Sequence, residues 1–331
     1  MKKSTSIFIL FFSVFMLLLM EKADASNYVK IATIGKGSPV LDKSLTPQEM
    51  VDRMILFWRS ELAQVLPDQP DLIVLPEVCD QPSGLSIEEK YQYYKVRDNQ
   101  FLNYLASVAK ENRCYIAFGT KHIDEEGNWR NSCFILDRDG EILGVYNKNY
   151  ITFRAVAFGT KAGDSTPIFK TDFGTIGCVI CFDLNFDELR RKYATLKPDI
   201  LLFSSMYHGG LVQSYWAYSC ESYFVGAMGT TSVPSEIRNP MGTIIATSTN
   251  HFDFAITTLN LDYKLVHLDQ NWAKLRALKN KYGRDVTIYD PGRVGAVMIL
   301  SESENVSAKD MVEEFEMELL EDYLNRSRTF R

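Results

Sequence analysis

Three reactive side chains of different types each end an apolar run of strand length. Glu77, Lys148 and Cys181 all occupy the position directly after such a run. Ligand crevices in open α/β sheets form beyond the carboxyl ends of the strands, so groups that are distant in sequence meet there. The pattern therefore predicts one site that contains a carboxylate, an amine and a thiol.

These three groups suit the hydrolysis of a C–N bond. A thiol attacks a carbonyl or nitrile carbon efficiently as the thiolate, and Glu77 is the base that can take its proton. The same carboxyl group can return the proton to the departing amine or ammonia, and can then activate water to release the acyl-enzyme. Lys148 supplies positive charge where the tetrahedral intermediate becomes negative. The backbone N–H after Cys181 is a predicted second donor to that oxyanion.

The elements that position these groups alternate between strands and helices. Strands are predicted over 28–34, 71–75, 114–119, 132–137, 142–146, 175–180, 200–203 and 223–228. Helices are predicted from Thr46-Pro47 towards Leu66 and over 87–112, 185–195, 213–222 and 308–328. This alternation indicates an α/β protein with helices packed on sheet faces. Because no repeat or linker divides the chain, we predict one hydrolase domain over 26–300, followed by a C-terminal helical arm over 301–331.

The first 25 residues have the pattern of a secretory signal peptide. Lys2 and Lys3 precede the apolar run Ile7–Met20, and the small-residue segment Ala23-Asp24-Ala25 follows it. The run is shorter than the roughly 20 apolar residues of a membrane-spanning helix, although an uncleaved anchor remains the alternative. We expect an exported protein, periplasmic or extracellular, without stable membrane insertion.

Export gives a direct prediction about the mature protein. It should begin at Ser26 and be recovered outside the cytoplasm, because cleavage after Ala25 fits the small-x-small pattern. Mass spectrometry of the native N-terminus measures this. Recovery of a chain that still carries residues 2–20 would instead identify a membrane anchor.

Composition excludes several other classes of protein. The chain has 331 residues, of which 46% are hydrophobic and 24% charged, as in ordinary soluble globular proteins. Its formal net charge is −6 and it has no basic tract, so a nucleic-acid partner is not expected. It contains no serine nucleophile elbow, phosphate loop or dinucleotide fingerprint. We expect no cofactor and no metal.

The six cysteines have a mostly structural interpretation. Several lie in apolar strand-like runs, where cysteine behaves as a small hydrophobic residue. Their pairing is left open by the sequence. Cys178-x-x-Cys181 could belong to a thioredoxin-type motif, but Val179-Ile180 continues the strand, and this disfavours a redox function.

The segments around the reactive residues resemble a known family. Leu-Pro-Glu77, Tyr-Asn-Lys148 and Gly-x-x-Ile-Cys181-Phe-Asp resemble the three signature segments of the nitrilase superfamily of carbon–nitrogen hydrolases, in order and approximate spacing. Later segments at 198–201, 216–221 and 239–242 extend the resemblance over residues 28–262. It implies a four-layer αββα sandwich, a catalytic trio of Glu77, Lys148 and Cys181, and a homodimer formed through the helical face.

One position departs from the family pattern. Many members carry a second glutamate a short way beyond the lysine, whereas residues 149–157 here contain no acid and position 156, where we expect it, is Val. The substrate could bring its own polar group to this gap, such as a carboxylate near Arg154 or Lys161.

The residues after the nucleophile bear on the substrate. In the family, the nitrile-cleaving branch typically has Trp-Glu after the cysteine, whereas amide-cleaving branches have an aromatic residue followed by Asp. The Phe182-Asp183 pair therefore favours a small-molecule amide or carbamoyl substrate. The alternatives are nitrile hydrolysis and an exported non-catalytic binding protein on the same scaffold.

His208 offers a different partner for the nucleophile. A Cys181–His208 pair would make a Cys-His hydrolase, but Glu77 and Lys148 already supply the required roles, so a pocket-wall or loop histidine is the preferred interpretation. Tyr207, His208 and Trp216 are predicted substrate contacts. Asp183 and Glu221 are predicted to hold loops through hydrogen bonds.

Overall fold

The computed structural model describes residues 27–331, so the predicted signal peptide lies outside the described residues. The strands, in chain order, are β1 (Tyr28–Ile34), β2 (Leu72–Val74), β3 (Tyr115–Ile123), β4 (Trp129–Leu136), β5 (Ile142–Asn147), β6 (Phe169–Lys170), β7 (Thr175–Ile180), β8 (Ile200–Ser205), β9 (Tyr223–Met228), β10 (Glu236–Arg238), β11 (Ile244–Thr247), β12 (Phe254–Asn260), β13 (Tyr263–His267), β14 (Val286–Tyr289) and β15 (Ala296–Ser301).

The α-helices are interspersed among these strands. They are α1 (Pro47–Leu62), α2 (Ile87–Arg97), α3 (Gln100–Asn112), α4 (Phe153–Ala157), α5 (Asp187–Leu196), α6 (Leu211–Cys220), α7 (Trp272–Tyr282), α8 (Ala308–Glu314) and α9 (Leu320–Arg328). None of the helices within 27–331 is both long enough and apolar enough to cross a membrane.

Two six-stranded sheets of similar design form the centre of the molecule. Sheet 1 has the order β12-β1-β2-β3-β4-β5 and sheet 2 the order β11-β10-β9-β8-β7-β6. In sheet 1 the strands β1, β2 and β3 are parallel, and in sheet 2 the strands β7, β8 and β9 are parallel. Antiparallel strands flank both parallel centres. The carboxyl ends of the parallel strands are thus available in both sheets to build a site.

Alternating side chains distribute each strand between two layers of core. In β1, Val29 and Ile31 are buried between the two sheets, whereas Ala32 and Ile34 are buried against the layer of α1, α2 and α3. Sheet 2 repeats this pattern, with Ile180 in the inter-sheet core and Val179 against α5 and α6. The predicted four-layer αββα sandwich is confirmed.

Local sequence explains where the first helices begin and end. Thr46 caps α1 in a reciprocal capping box with Glu49, and Pro47 occupies the first helical turn, as predicted. The helix predicted over 87–112 is instead two helices, because Asp98 adopts φ +40 between α2 and α3.

The C-terminal part forms a third, smaller sheet that the sequence did not predict. Its order is β13-β15-β14, and α7 and α8 pack on it. The prediction of one helix over 308–328 is wrong, because the chain turns at Glu316 with φ +48 between α8 and α9. Met311 and Val312 of α8 are buried in the core of this small sheet, so α8 is not a free arm.

Candidate active site

A cavity of about 450 Å³ lies beyond the strand ends of both sheets, and the predicted trio lines it. Glu77 follows β2 and Lys148 follows β5 in sheet 1, whereas Cys181 follows β7 in sheet 2. The structure therefore brings together three side chains that are separated by up to about a hundred positions in the sequence. Each sheet contributes part of the site.

Glu77 and Lys148 form a buried ion pair in this cavity. The Lys148 Nζ lies 2.7 Å from the Glu77 Oε1, and the side chains of both residues are almost fully buried. Asn131 Nδ2 donates a second hydrogen bond of 2.7 Å to the same Glu77 oxygen. Burial alone would lower the pKa of Lys148, but the negative charge of Glu77 and its hydrogen bond to the ammonium raise it. Lys148 thus stays an ammonium group.

Cys181 is held as a neutral thiol. Burial, together with the charge of Glu77, raises the pKa of the thiol to about 11, although Lys148 and hydrogen bonds to the Met206 N–H and Ser205 oppose this shift. At neutral pH the sulfur therefore carries its proton. Nucleophilic attack requires a base to remove that proton during the reaction, and Glu77 is the carboxylate that lines the cavity.

The backbone is strained beside both the acid and the thiol. Cys181 has φ +48 directly after β7, and Val78, next to Glu77, has φ +43. Side chains with a Cβ seldom adopt these angles, and a β-branched valine does so least readily. Such strain persists where the surrounding structure over-determines the conformation, and it is concentrated at functional sites. Both turns aim a reactive side chain into the cavity instead of continuing the strand.

A glycine in β3 permits the approach of the Glu77 loop. A Cβ on Gly119 would lie 2.5 Å from the Glu77 Cα, a distance that no substituent could occupy. The Gly119 N–H donates to the Pro76 carbonyl, and the Cys79 N–H donates to the Gly119 carbonyl. Gly119 therefore fixes the acid loop against sheet 1 through its lack of a side chain.

Asp183 connects the nucleophile turn to the segment after Lys148. Its carboxylate accepts hydrogen bonds from the Tyr146 hydroxyl (2.8 Å), the Tyr150 N–H (2.7 Å) and the Ile180 N–H (3.0 Å). Burial raises its pKa to about 6. The prediction that Asp183 holds loops by hydrogen bonding is confirmed. The Asp183 carboxylate thus connects sheet 2, by hydrogen bonds, to the segment of sheet 1 that contains Lys148.

The predicted substrate contacts lie outside the cavity wall. Trp216 is 1% exposed in the core between sheet 2 and its helices, where its Nε1 donates to the Leu184 carbonyl. Both ring nitrogens of His208 are engaged, since Nε2 lies 2.8 Å from Glu236 and Nδ1 accepts from the Gly210 N–H. The structure therefore contradicts Trp216 as a substrate contact, because its burial leaves no surface for a ligand.

Tyr207 lies near the trio without lining the cavity. The charge of Cys181 contributes, after burial, to raising the Tyr207 pKa to about 12, and its hydroxyl accepts a hydrogen bond of 3.0 Å from Asn185. The neighbouring Met206 lines the cavity instead. Tyr207 therefore stays a predicted substrate contact, at the strand end after β8 that also supplies Met206.

The sequence analysis also missed cavity-lining residues in β3 and β4 of sheet 1. Lys121 near the end of β3 and Asn131 near the start of β4 are register partners, and both line the cavity. Their signal was available, because β3 is parallel to β2 and must end at the same sheet edge. Lys90 of α2 had no comparable signal in the sequence.

Of the residues near the expected second acid, Arg154 lines the cavity, whereas Val156 and Lys161 do not. Val156 is 57% exposed and lies on α4 outside the cavity lining. Among the described residues that line the cavity, Glu77 is the one carboxylate. Lys161 is exposed.

Comparison with known proteins gives a consistent set of similarities. The sequence profile described as carbon-nitrogen hydrolase matches residues 30–247, more than half of the chain. The chain is 27% identical over 217 residues to nitrilase homolog 2 of Dictyostelium discoideum, covering 58% of this chain and 65% of that protein. It is 24% identical over 225 residues to human omega-amidase NIT2, covering 63% of this chain and 80% of that protein. The chain thus spans about two-thirds of the first relative's length.

Solved structures share the fold at low sequence identity. An amidase from Nesterenkonia sp. superposes with a TM-score of 0.60 at 16% identity, covering 76% of this chain and 97% of that one. Nit3 of Saccharomyces cerevisiae, a member of branch 10 of the nitrilase superfamily, has a TM-score of 0.59 at 16% identity, covering 81% and 97%. At these identities the likeness shows the αββα fold.

Proposed function

Because the chain belongs to the carbon–nitrogen hydrolase family, also called the nitrilase superfamily, we propose that it hydrolyses a C–N bond of a small amide or carbamoyl compound. The observation that carries the proposal is the buried Glu77–Lys148 pair in one cavity with the Cys181 thiol. A base, a cation and a nucleophile are the groups that acyl transfer needs. The omega-amidase relatives support the same reaction class.

The proposed reaction begins with attack of Cys181 on the substrate carbonyl carbon. Glu77 takes the thiol proton as the C–S bond forms, and the carbonyl π electrons move to the oxygen. The Lys148 ammonium, which is held in place by its bond to Glu77, stabilises that oxyanion. When the intermediate collapses, the C–N bond breaks and Glu77 gives its proton to the leaving nitrogen.

Hydrolysis of the thioester completes the cycle. Water attacks the acyl carbon while Glu77, again a carboxylate, takes a proton from it. The C–S bond then breaks, and the proton returns to the sulfur of Cys181. The high pKa of the free thiol favours this last transfer, because Cys181 rests in the protonated form.

We expect amides to be preferred over nitriles. Short amides such as butyramide should release ammonia at least about tenfold faster than butyronitrile does. A tenfold difference in rate corresponds to about 1.4 kcal/mol, the free energy that one hydrogen bond typically contributes. The motivation is the Phe182-Asp183 pair, whose aspartate connects the nucleophile turn to the segment after Lys148. The measurement is ammonia release from matched amides, carbamoyl compounds and nitriles. Faster release from the nitriles than from every amide and carbamoyl compound would contradict the proposal.

We further propose that the enzyme acts outside the cytoplasm, on the basis of its N-terminal sequence. The basic residues, apolar run and small-residue site of 1–25 support this proposal. The homodimer implied by the family resemblance also stays a proposal.

A further inference from the structure

Three cationic side chains line the catalytic cavity without an acidic partner in the part of the chain from 27 to 331. Lys90 extends from α2, Lys121 lies near the end of β3, and Arg154 extends from α4. Within 27–331, none of the three side chains forms an ion pair or a hydrogen bond, although the backbone carbonyl of Lys121 accepts from Arg97 and Thr120. By contrast, Lys148 in the same cavity is neutralised by Glu77. The cavity wall therefore carries three uncompensated positive charges, in a chain whose net charge is −6.

These like charges are held close enough to repel one another. Burial, followed by the charges of Lys90, Lys148 and Arg154, lowers the pKa of Lys121 to about 8, and Glu77 opposes this shift. The pKa of Lys90 is lowered by burial and by Arg154. Lys90 and Lys121 are partly buried, whereas Arg154 is exposed. The mutual repulsion of these uncompensated charges and the partial loss of water around the two lysines both oppose folding. Such a cluster is typical of a binding site and not of a stabilising network.

Lys121 is also fixed in position before any ligand binds. Its Nζ lies 3.6 Å from the centroid of the Phe158 ring, in cation–π geometry. The Phe158 ring stacks on Tyr91 at 4.6 Å, and the Tyr91 hydroxyl donates to the Phe158 carbonyl. The Lys121 carbonyl accepts a hydrogen bond of 2.9 Å from Arg97. A preorganised cation loses little conformational entropy when it binds an anion.

We propose that Lys90, Lys121 and Arg154 form a subsite for an end group with two negative charges on the non-reacting part of the substrate. A phosphate monoester and a pair of carboxylates share this chemistry. The charge count favours a dianion over a single carboxylate, because three cations remain after Lys148 is matched with Glu77. The volume of about 450 Å³ suits a small molecule that reaches from this subsite to Cys181. The inference rests on the proposed function for the identity of the ligand as a substrate.

The experiment measures anion binding by isothermal titration calorimetry to the full-length mature protein carrying Cys181→Ala. The probes are malonate, inorganic phosphate and acetate. We expect malonate or phosphate to bind about tenfold more tightly than acetate or better, as one additional charged hydrogen bond would provide. Lys121→Met and Arg154→Met, each added to this variant, should weaken dianion binding about tenfold. Lys161→Met is the matched control, because Lys161 is an exposed cation outside the cavity.

Two further readouts separate binding from structural damage. Lys121→Met should not lower Tm, because it removes a desolvated, mutually repelled charge. Malonate affinity should fall as the pH rises through about 8, where Lys121 loses its proton, and that decrease should be absent in Lys121→Met. The charged groups that act on Lys121 are Lys90, Glu77, Lys148 and Arg154.

The outcomes distinguish the possible sources of the anion. Tighter binding of malonate supports a dicarboxylate substrate, and tighter binding of phosphate supports a phosphate monoester. Acetate binding as tight as that of both dianions would overturn the proposal, as would equal weakening by Lys161→Met and Lys121→Met. The titrations use the inactive Cys181→Ala variant, so they measure the subsite independently of catalysis. Strong dianion binding by this variant, together with no ammonia release by the protein that retains Cys181, would refute the proposed function and leave the subsite intact.

Discussion

Replacement of Cys181 with alanine should lower kcat by about 10⁶-fold while the fold is retained. The variant lacks the sulfur that forms the proposed acyl-enzyme, and Cys181 is the one cysteine of residues 27–331 that lines the cavity. The side chain is partly buried after β7, and loss of one sulfur there should change Tm little. Ammonia release under saturating substrate measures the effect, with circular dichroism and Tm as the test of folding.

Cys178→Ala provides the matched control three residues earlier, within β7. Cys178 is fully buried in the inter-sheet core, away from the cavity lining. Its replacement should keep the rate within a few-fold and cost about 1 kcal/mol of stability from the lost packing. Equal loss of activity in both variants would indicate redox chemistry that uses the pair. Full activity of Cys181→Ala would remove the nucleophile from the proposal altogether.

The same cysteine separates the enzyme from a non-catalytic binding protein. A buried thiol with a pKa of about 11 should react slowly with a neutral alkylating agent, unless Glu77 takes its proton as the bond forms. We therefore expect selective alkylation of Cys181 that is lost in Glu77→Gln. An inert Cys181, together with no turnover of any amide, would favour the binding protein.

Removal of either partner of the ion pair should also be severe. Glu77→Gln should lower kcat by about 10²- to 10⁴-fold, the usual contribution of a general base, while its amide oxygen still accepts from Asn131. Lys148→Ala should lower kcat by about 10²- to 10³-fold through loss of oxyanion stabilisation. The measurement is kcat together with KM, because loss of a group that acts in the transition state lowers kcat and kcat/KM together.

Lys148→Ala needs a control for stability. It leaves the Glu77 carboxylate buried without its cation, which destabilises a protein by about 3–5 kcal/mol. The double variant Glu77→Gln/Lys148→Met removes both charges and should recover much of that stability without recovering activity. A double variant that regains activity would show that Lys148 serves the fold alone.

His208→Ala tests the competing Cys-His arrangement. Because both ring nitrogens are bonded, to Glu236 and to the Gly210 N–H, the imidazole is not free to accept the thiol proton. We expect a change in kcat of a few-fold at most, well below that of Glu77→Gln. An indispensable His208 alongside an expendable Lys148 would reverse the assignment.

The central strands could be predicted because burial on both faces leaves a clear mark on the sequence. The runs 28–34, 175–180 and 223–228 coincide with the bounds of β1, β7 and β9. Parallel central strands are continuous apolar segments flanked by turn residues, so their limits are visible. The position of a reactive residue after such a run then follows, and the cavity contains all three members of the predicted trio.

Other features depend on tertiary context that a sequence does not display. The strands β10 and β11, at one side of sheet 2, are three and four residues long, too short for a periodic signal. Lys90 belongs to α2, in which Glu88 and Lys95 are exposed whereas Arg97 is buried. Only the packing of α2 on sheet 1 decides which of these charged residues reaches the cavity. The burial of Trp216 likewise follows from how α6 lies on sheet 2. Aromatic type alone could not separate a core residue from a binding residue.

Because the proposed catalytic trio is divided between the two sheets, the geometry of the proposed reaction depends on how the sheets pack against each other. Acid and cation move with sheet 1, and the nucleophile moves with sheet 2. Their alignment is therefore set by the apolar layer between the sheets and by the Tyr146–Asp183 bond across it, and not by any single element. A small shift of one sheet relative to the other would change the distance from Cys181 to Glu77 and Lys148 and so lower the rate. Every hydrogen bond within each sheet would be retained. Substitutions among the apolar residues between the sheets should therefore affect the reaction rate although these residues do not contact the substrate.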